Sequence, residues 1–233
     1  MPNSDFCIDL GSGQRIVGEQ LAGASPGYLF LHGLGSSRVG EKSDSLLRWA
    51  RHHGRACTRC DFRGHGESTG TIGEVTIGDL IDDTVRMLQR IGPAVVVGSS
   101  LGGMIGAFAA ARHPELVTAL ALIAPAFGFL HRLERTVDAE GRLWTSDGRS
   151  FVLAQNVIDE ARTFDERGLP QRLDLPILIV HGDADEVVPH ARSARFFANL
   201  PHADKELWIV PGGDHRLHAV TESIWQRLDA LVG

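Results

Sequence analysis

In the stretch Val95-Val96-Val97-Gly98-Ser99-Ser100-Leu101-Gly102-Gly103, a serine pair separates an apolar run from a run of small helix formers. A hydroxyl at that junction is a candidate nucleophile. The pattern G-x-S-x-G occurs twice, at residues 98–102 and at Gly66-Glu67-Ser68-Thr69-Gly70, so the pattern alone does not choose. The setting does, because Ser100 has a strand-like run directly before it and a helical run directly after it, whereas Ser68 has neither. At a sharp strand-to-helix turn the nucleophile is held in a strained backbone, and side chains two residues to either side would collide; Gly98 and Gly102 remove them. The helix N-terminus beyond favours developing negative charge. Ser99 reads as a packing or hydrogen-bonding neighbour.

A serine nucleophile needs a base to take its proton and an acid to orient the base. Two later loops supply candidates. PILIVHG is followed by Asp183-Ala184-Asp185-Glu186-Val187-Val188-Pro189, and KELWIVPG by Gly213-Asp214-His215-Arg216. His215 directly follows the Gly212-Gly213 loop and is read as the general base. His218 lies one turn further on, while His181, His190 and His202 read as structural or solvent-exposed. Asp183 and Asp185 both stand in their loop, and their D-x-D spacing lacks the further ligands of a calcium site.

The elements that must position these residues follow from periodicity. Short aliphatic runs alternate with longer helical patterns, the signature of a largely parallel sheet with helices on both faces. FCIDL and QRIVGEQLA, joined by Gly11-Ser12-Gly13, read as an antiparallel hairpin, and GYLFLHG as the first inner strand. Helices are expected near 41–53, 77–91 and 101–112; RACTRCDF, AVVVGS, LVTALALIA, PILIVHG and KELWIVPG are the intervening strands. From about 127 to 172 the rhythm breaks into RTVDAEGRLWTSDGRSF, resembling a small hairpin, and the helical NVIDEARTF. This is expected to be a small cap insertion in a single domain spanning 1–233. Its apolar residues Phe127, Phe129, Leu130 and Trp144 fit either a pocket lining or core packing.

At 233 residues, with 43% hydrophobic and 22% charged residues, the chain has the composition of a globular enzyme-sized domain. Its formal net charge of −6, with no Lys/Arg-rich segment, argues against nucleic acid or an anionic membrane surface as the main partner. No apolar run is long enough to span a bilayer and the N-terminus has no signal-peptide pattern, so a cytoplasmic location is expected. Cys57-Thr58-Arg59-Cys60 matches C-x-x-C, but residues three apart on a strand face opposite sides and no second pair completes a zinc site. Neither metal nor organic cofactor is expected.

Four of these segments stand in the order found in the α/β-hydrolase superfamily, which the chain resembles over nearly its whole length. The resemblance implies the α/β-hydrolase fold, with a mostly parallel eight-stranded sheet. HGDADEVVP is similar to the superfamily's H-G-x-x-D-x-x-V-P segment, which aligns its catalytic acid with Asp185 and leaves Asp183 as a loop cap. DFRGHGES resembles the D-x-R-G-x-G-x-S turn that supports the active-site end, which accounts for Ser68. Leu31-His32-Gly33-Leu34-Gly35-Ser36 can offer a second backbone N–H beside the elbow. The oxyanion hole is therefore expected at the Leu34 and Leu101 amides, with Gly33 as the loop glycine; one such donor is commonly worth about 3 kcal/mol. Together LHGLGSSRVGEKS, DFRGHGEST, VVVGSSLGG, HGDADEVVP and DHRL look like the branch of palmitoyl-thioesterases, acyl-protein thioesterases and acyl-glucuronide esterases.

What the resemblance implies is a serine hydrolase acting on a small-molecule carboxylic ester or acyl thioester through an acyl-enzyme. The same triad could serve peptide, lactone, peracid or carbon–carbon bonds, and the fold could also serve as a low-turnover binding module. Serine rather than aspartate at the elbow disfavours dehalogenase chemistry. Acyl length, leaving group and oligomeric state are left open by the sequence.

Overall fold

The computed structural model describes residues 3–145 and 148–232. Strands β1 (Asn3–Gly11) and β2 (Gln14–Leu21) form the opening antiparallel hairpin. The alternating part follows: β3 (Ala24–Leu31), α1 (Glu41–His52), β4 (Arg55–Cys60), α2 (Ile77–Ile91), β5 (Ala94–Ser99), α3 (Leu101–Arg112) and β6 (Val117–Ile123). Next come α4 (Leu133–Thr136), the short pair β7 (Arg142–Trp144) and β8 (Ser150–Val152), and α5 (Gln155–Ala161). The pattern then resumes with β9 (Ile177–Gly182), α6 (Ala191–Ala198), β10 (Lys205–Val210) and α7 (Thr221–Val232). The turn residues Ser146 and Asp147 of the expected hairpin lie outside the described residues.

Eight strands make one sheet in the order β1-β2-β4-β3-β5-β6-β9-β10. The β1–β2 and β2–β4 pairs are antiparallel and all others parallel. The inner strands read as unbroken apolar runs because both faces are covered. One face packs Leu29, Leu31, Val96, Leu120, Leu122 and Ile179 against α2, α3 and α6; the other packs Tyr28, Phe30, Val95, Val97, Ala121 and Val180 against α1 and α7. The two-residue period of the strands assigns each side chain to its layer.

Helix α2 shows how local sequence sets an element. Thr76 and Asp79 form a reciprocal capping box at its start, and Ile77, Leu80, Ile81, Val85 and Leu88 recur on the face it buries. Helix α3 is buried from Leu101 to Ala110, so small and apolar residues occupy every side of it.

Cys57 belongs to the layer beneath α1 and α7, Cys60 to the layer beneath α2 and α3. Their thiols point away from each other, and burial pushes Cys57 up to about 12 and Cys60 up as well, so neither ionises near neutrality.

Across the α1/α7 layer, Asp229 of α7 accepts hydrogen bonds from the Tyr28 hydroxyl (2.6 Å) and Trp49 Nε1 (3.0 Å). One carboxylate thereby ties the last helix to a central strand and to α1. Asp229→Ala strands two donors and is expected to lower unfolding free energy by about 1–3 kcal/mol, measurable as an earlier urea midpoint with unchanged slope.

Candidate active site

Ser100 occupies the turn from β5 into α3 with φ 54° and ψ −115°, a left-handed conformation that a non-glycine residue keeps only when its surroundings impose it. Two glycines make it possible. A Cβ on Gly98 would lie 2.4 Å from the Gly102 carbonyl oxygen, and one on Gly102 would lie 2.3 Å from the Leu31 carbonyl oxygen. Backbone bonds hold the turn: the Ser100 amide donates to the Ile123 carbonyl at 2.9 Å, and the Ser100 carbonyl accepts from Ala126 at 3.0 Å.

The loops after β9 and β10 bring the two partners. Ser100 Oγ lies 3.1 Å from His215 Nε2, and His215 Nδ1 lies 2.7 Å from Asp185 Oδ2. Nδ1 faces the carboxylate and carries the proton, which leaves Nε2 as an acceptor toward the serine. Asp214 fixes the turn around His215 by accepting from the Arg216 and Leu217 amides. Asp183 accepts from the Gly212 amide at 2.6 Å, joining the two loops without approaching the histidine ring.

Asp185 is buried. Its Oδ1 accepts from the Val187 and Val188 amides, both at 2.8 Å, and its Oδ2 accepts from His215 and from His181 Nε2 at 3.0 Å. Burial alone would raise this carboxyl, but the bonds from His181, His215 and the Val188 amide outweigh it and hold the group well below the usual carboxylate range. His181 is fully buried; its Nε2 meets only acceptors, Asp185 Oδ2 and the Val188 carbonyl, so it carries a proton, while Nδ1 lies 2.7 Å from Ser193 Oγ. Sequence reading had left His181 among the structural histidines. The available signal was its spacing, four residues before the acid at the end of the same strand.

Leu34 and Leu101 line the same cavity as Ser100. Among the described residues neither of their amides donates to a protein acceptor. Gly33 comes so close that a Cβ there would sit 3.3 Å from Ser100 Cβ. His32 locks this loop: Nε2 accepts from the Phe62 amide at 3.0 Å and Nδ1 donates to the Gly33 carbonyl at 2.8 Å. Burial lowers its pKa to about 4, so the ring stays neutral. This locking residue was also not singled out from the sequence.

The alternatives sort themselves by contact. Ser68 donates to the Asp61 carbonyl and accepts from the Val17 amide, buried in the turn that Asp61 and Arg38 hold together. His218 pairs with Glu41 at 2.7 Å. His202 Nδ1 accepts from the Asp204 amide. Phe127 stacks on Phe196 with centroids 3.8 Å apart, and Leu130 is buried in the core, whereas Phe129 and Trp144 line the cavity. The cavity encloses about 570 Å³, and residues from the segment between β6 and β9 wall it opposite the sheet's loops.

A sequence profile described as alpha/beta hydrolase fold matches residues 29–167, and one described as serine aminopeptidase, S33, matches residues 153–222. The chain is 31% identical over 214 residues to the mitochondrial palmitoyl-protein thioesterase ABHD10 of Mus musculus, covering 85% of this chain and 72% of that protein. The solved structure of alpha/beta hydrolase domain-containing protein 10 from mouse superposes with a TM-score of 0.84 at 26% identity, covering 98% of this chain and 99% of that one. Est1E of Butyrivibrio proteoclasticus, solved with ferulic acid bound, is similar in fold: TM-score 0.84, 23% identity, 97% and 99% covered.

A carboxylate whose folded pKa is depressed adds stability that is complete above its unfolded value, about 3.9, and is lost as pH falls through the folded value. His181→Leu removes one donor from Asp185. Its carboxyl titration, followed by carbon-13 NMR, is expected to move up toward the ordinary value, and the fall in melting temperature as pH drops below about 4 to be smaller than in the unaltered protein.

Proposed function

The chain belongs to the α/β hydrolase fold family, and on that premise we propose that it is a serine hydrolase cleaving carboxylic esters or acyl thioesters. The observation that carries this reading is the unbroken run of contacts from Asp185 through His215 to Ser100 at the floor of a cavity. His215 Nε2 takes the Ser100 proton as Oγ attacks the acyl carbon. The developing oxyanion turns toward the Leu34 and Leu101 amides and the start of α3. The imidazolium, steadied by Asp185, then gives its proton to the departing alcohol or thiol, and the same histidine activates the water that frees the acid.

In this reading, residues of about 127–172 form a cap insertion on one domain spanning 1–233 and close the acyl pocket. The mouse relative, a palmitoyl-protein thioesterase, favours a thioester among the substrates to be tried. That relative is mitochondrial; no described helix here is long and apolar enough to cross a membrane, and the free, buried Cys57 and Cys60 suit a reducing compartment such as the cytoplasm.

The aminopeptidase description of the second profile raises a peptide-bond reading, which the cavity's charge opposes. A free α-ammonium group calls for a carboxylate, yet among the described residues the one acidic side chain on the wall, Glu41, is engaged by His218, and the other charged residues described there are basic. An acyl substrate without an amino cation fits better.

Hydrolysis of p-nitrophenyl acetate, butyrate, octanoate and palmitate, with an acyl-thioester series beside them, tests the proposal. Ser100→Ala is expected to lose about 10⁶-fold in kcat while Ser68→Ala keeps its turnover if it folds. Asp185→Asn is expected to lose about 10⁴-fold, far more than Asp183→Asn. An active Ser100→Ala enzyme, or turnover of aminoacyl p-nitroanilides above all esters, rejects the reading.

A further inference from the structure

The described residues leave four large apolar side chains substantially exposed: Val39, Trp144, Val152 and Val187. Single exposed hydrophobics are ordinary, but a cluster of them is not, and two of these line the cavity, one adjoins its wall in sequence and one shares the hairpin face of Trp144. Trp144 and Val187 line the cavity, and Val39 stands in the loop whose Ser37 and Gly40 also line it. Trp144 pairs with Ser150 and Arg142 with Val152 across the β7–β8 ladder, so Trp144 and Val152 project from the same outer face while Leu143 is buried beneath. That hairpin rests on the β3–α1 loop: a Cβ built on Gly35 would lie 3.4 Å from Phe151 and from Thr145. Trp144 is 57% exposed, which a ring of that size tolerates in water only at a cost.

The charge at the mouth reverses that of the molecule. The chain carries a formal net charge of −6, yet among the described residues the cavity wall presents Lys42, Arg132, Arg192 and Arg216 against one carboxylate, that of Glu41. Arg132 and Arg216 are exposed, and among the described residues neither has a carboxylate within ion-pair distance. Lys42 is half-buried with its ammonium on the Arg216 carbonyl, and burial pushes its pKa down to about 8. Composition averaged over the chain pointed away from an anionic membrane; the spatial arrangement concentrates basic groups on one face.

We propose that the cavity mouth is a docking surface for an anionic phospholipid bilayer, with Trp144, Val187, Val39 and Val152 entering the headgroup region and Arg132 and Arg216 meeting lipid phosphates. An indole prefers the polar–apolar boundary of a bilayer, and arginine stems lie along apolar surface while their heads reach phosphate. The apolar tips sit on the β7–β8 hairpin, the β3–α1 loop and the loop after β9, with Arg132 and Arg216 on the same cavity wall and the Trp144 indole N–H held by Asp138 at 3.1 Å, the arrangement of a shallow interfacial contact. An acyl chain is itself a bilayer component, so such docking passes the substrate to Ser100 without crossing water; that benefit rests on the hydrolase reading, whereas the docking does not.

Co-sedimentation of the full chain with vesicles of phosphatidylcholine, and of phosphatidylcholine mixed with phosphatidylserine, tests the surface independently of turnover. Binding is expected to the mixed vesicles, to weaken in high salt, and to fall about tenfold or more in Arg132→Glu/Arg216→Glu, given about fivefold per basic residue. Trp144→Ser/Val39→Ser is expected to reduce it to a similar extent, with an unchanged melting temperature confirming the fold. Absence of binding to the mixed vesicles, or binding that both variant pairs retain, overturns the proposal. So does a Trp144-dependent dimer in solution without vesicle binding, which marks a second copy as the occupant, or retention on polyglutamate without vesicle binding, which marks an acidic protein.

Discussion

Holding a serine at φ 54° and ψ −115° costs on the order of 1–3 kcal/mol, and much of the architecture keeps that one residue there. The strain persists because Ser100 lies at the centre of the sheet, between a strand buried on both faces and a helix buried along most of its length. The β5 and α3 backbones approach so closely that only glycine fits at 98 and 102. In return, the hydroxyl is lifted clear of the turn and aimed at the loops beyond the sheet edge, where β9 and β10 deliver Asp185 and His215. A relaxed turn would lower the hydroxyl into the packing and break the line to the imidazole.

The second dependence is electrostatic. Asp185 is a buried carboxylate, and its burial is offset by four hydrogen bonds whose donors come from its own loop, from β9 and from the loop after β10. His181 holds one oxygen in place while His215 uses it, so the orientation of the imidazole is inherited from a residue that never reaches the cavity. On the opposite side, neutral His32 performs a similar task for the Gly33–Leu34 backbone. Two buried histidines thus fix the frame around a third, His215, which opens onto the cavity.

Much of this was legible in the sequence for physical reasons that differ by element. The inner strands announce themselves because burial on both faces demands continuous apolar runs, and α2 because its capping box and apolar period coincide. That Ser100, His215 and the Asp183–Asp185 loop converge could be read because each follows a parallel strand of one sheet, and such strands end at the same edge; the choice of Asp185 over Asp183 came from the resemblance of HGDADEVVP. His181 and His32 were not legible as positioning residues, since their significance lies in which oxygen or amide each ring nitrogen meets. Ser68 had the right pattern and the wrong surroundings. The basic mouth was hidden by averaging: its cations come from α1, from the β6–β9 segment, from α6 and from the loop after β10, with no run of them anywhere in the chain.

The order of the site residues along the chain has a bearing on biosynthesis. Ser100 is translated long before Asp185, and His215 emerges last of the three, so any partial chain that has formed β5 and α3 carries the strained hydroxyl with no imidazole beside it. An unassisted serine is a poor nucleophile. On the hydrolase reading, emergence of the β10 loop is a chemical arming step, separating the polypeptide's passage through the ribosome from its capacity to acylate itself on whatever activated ester it meets there.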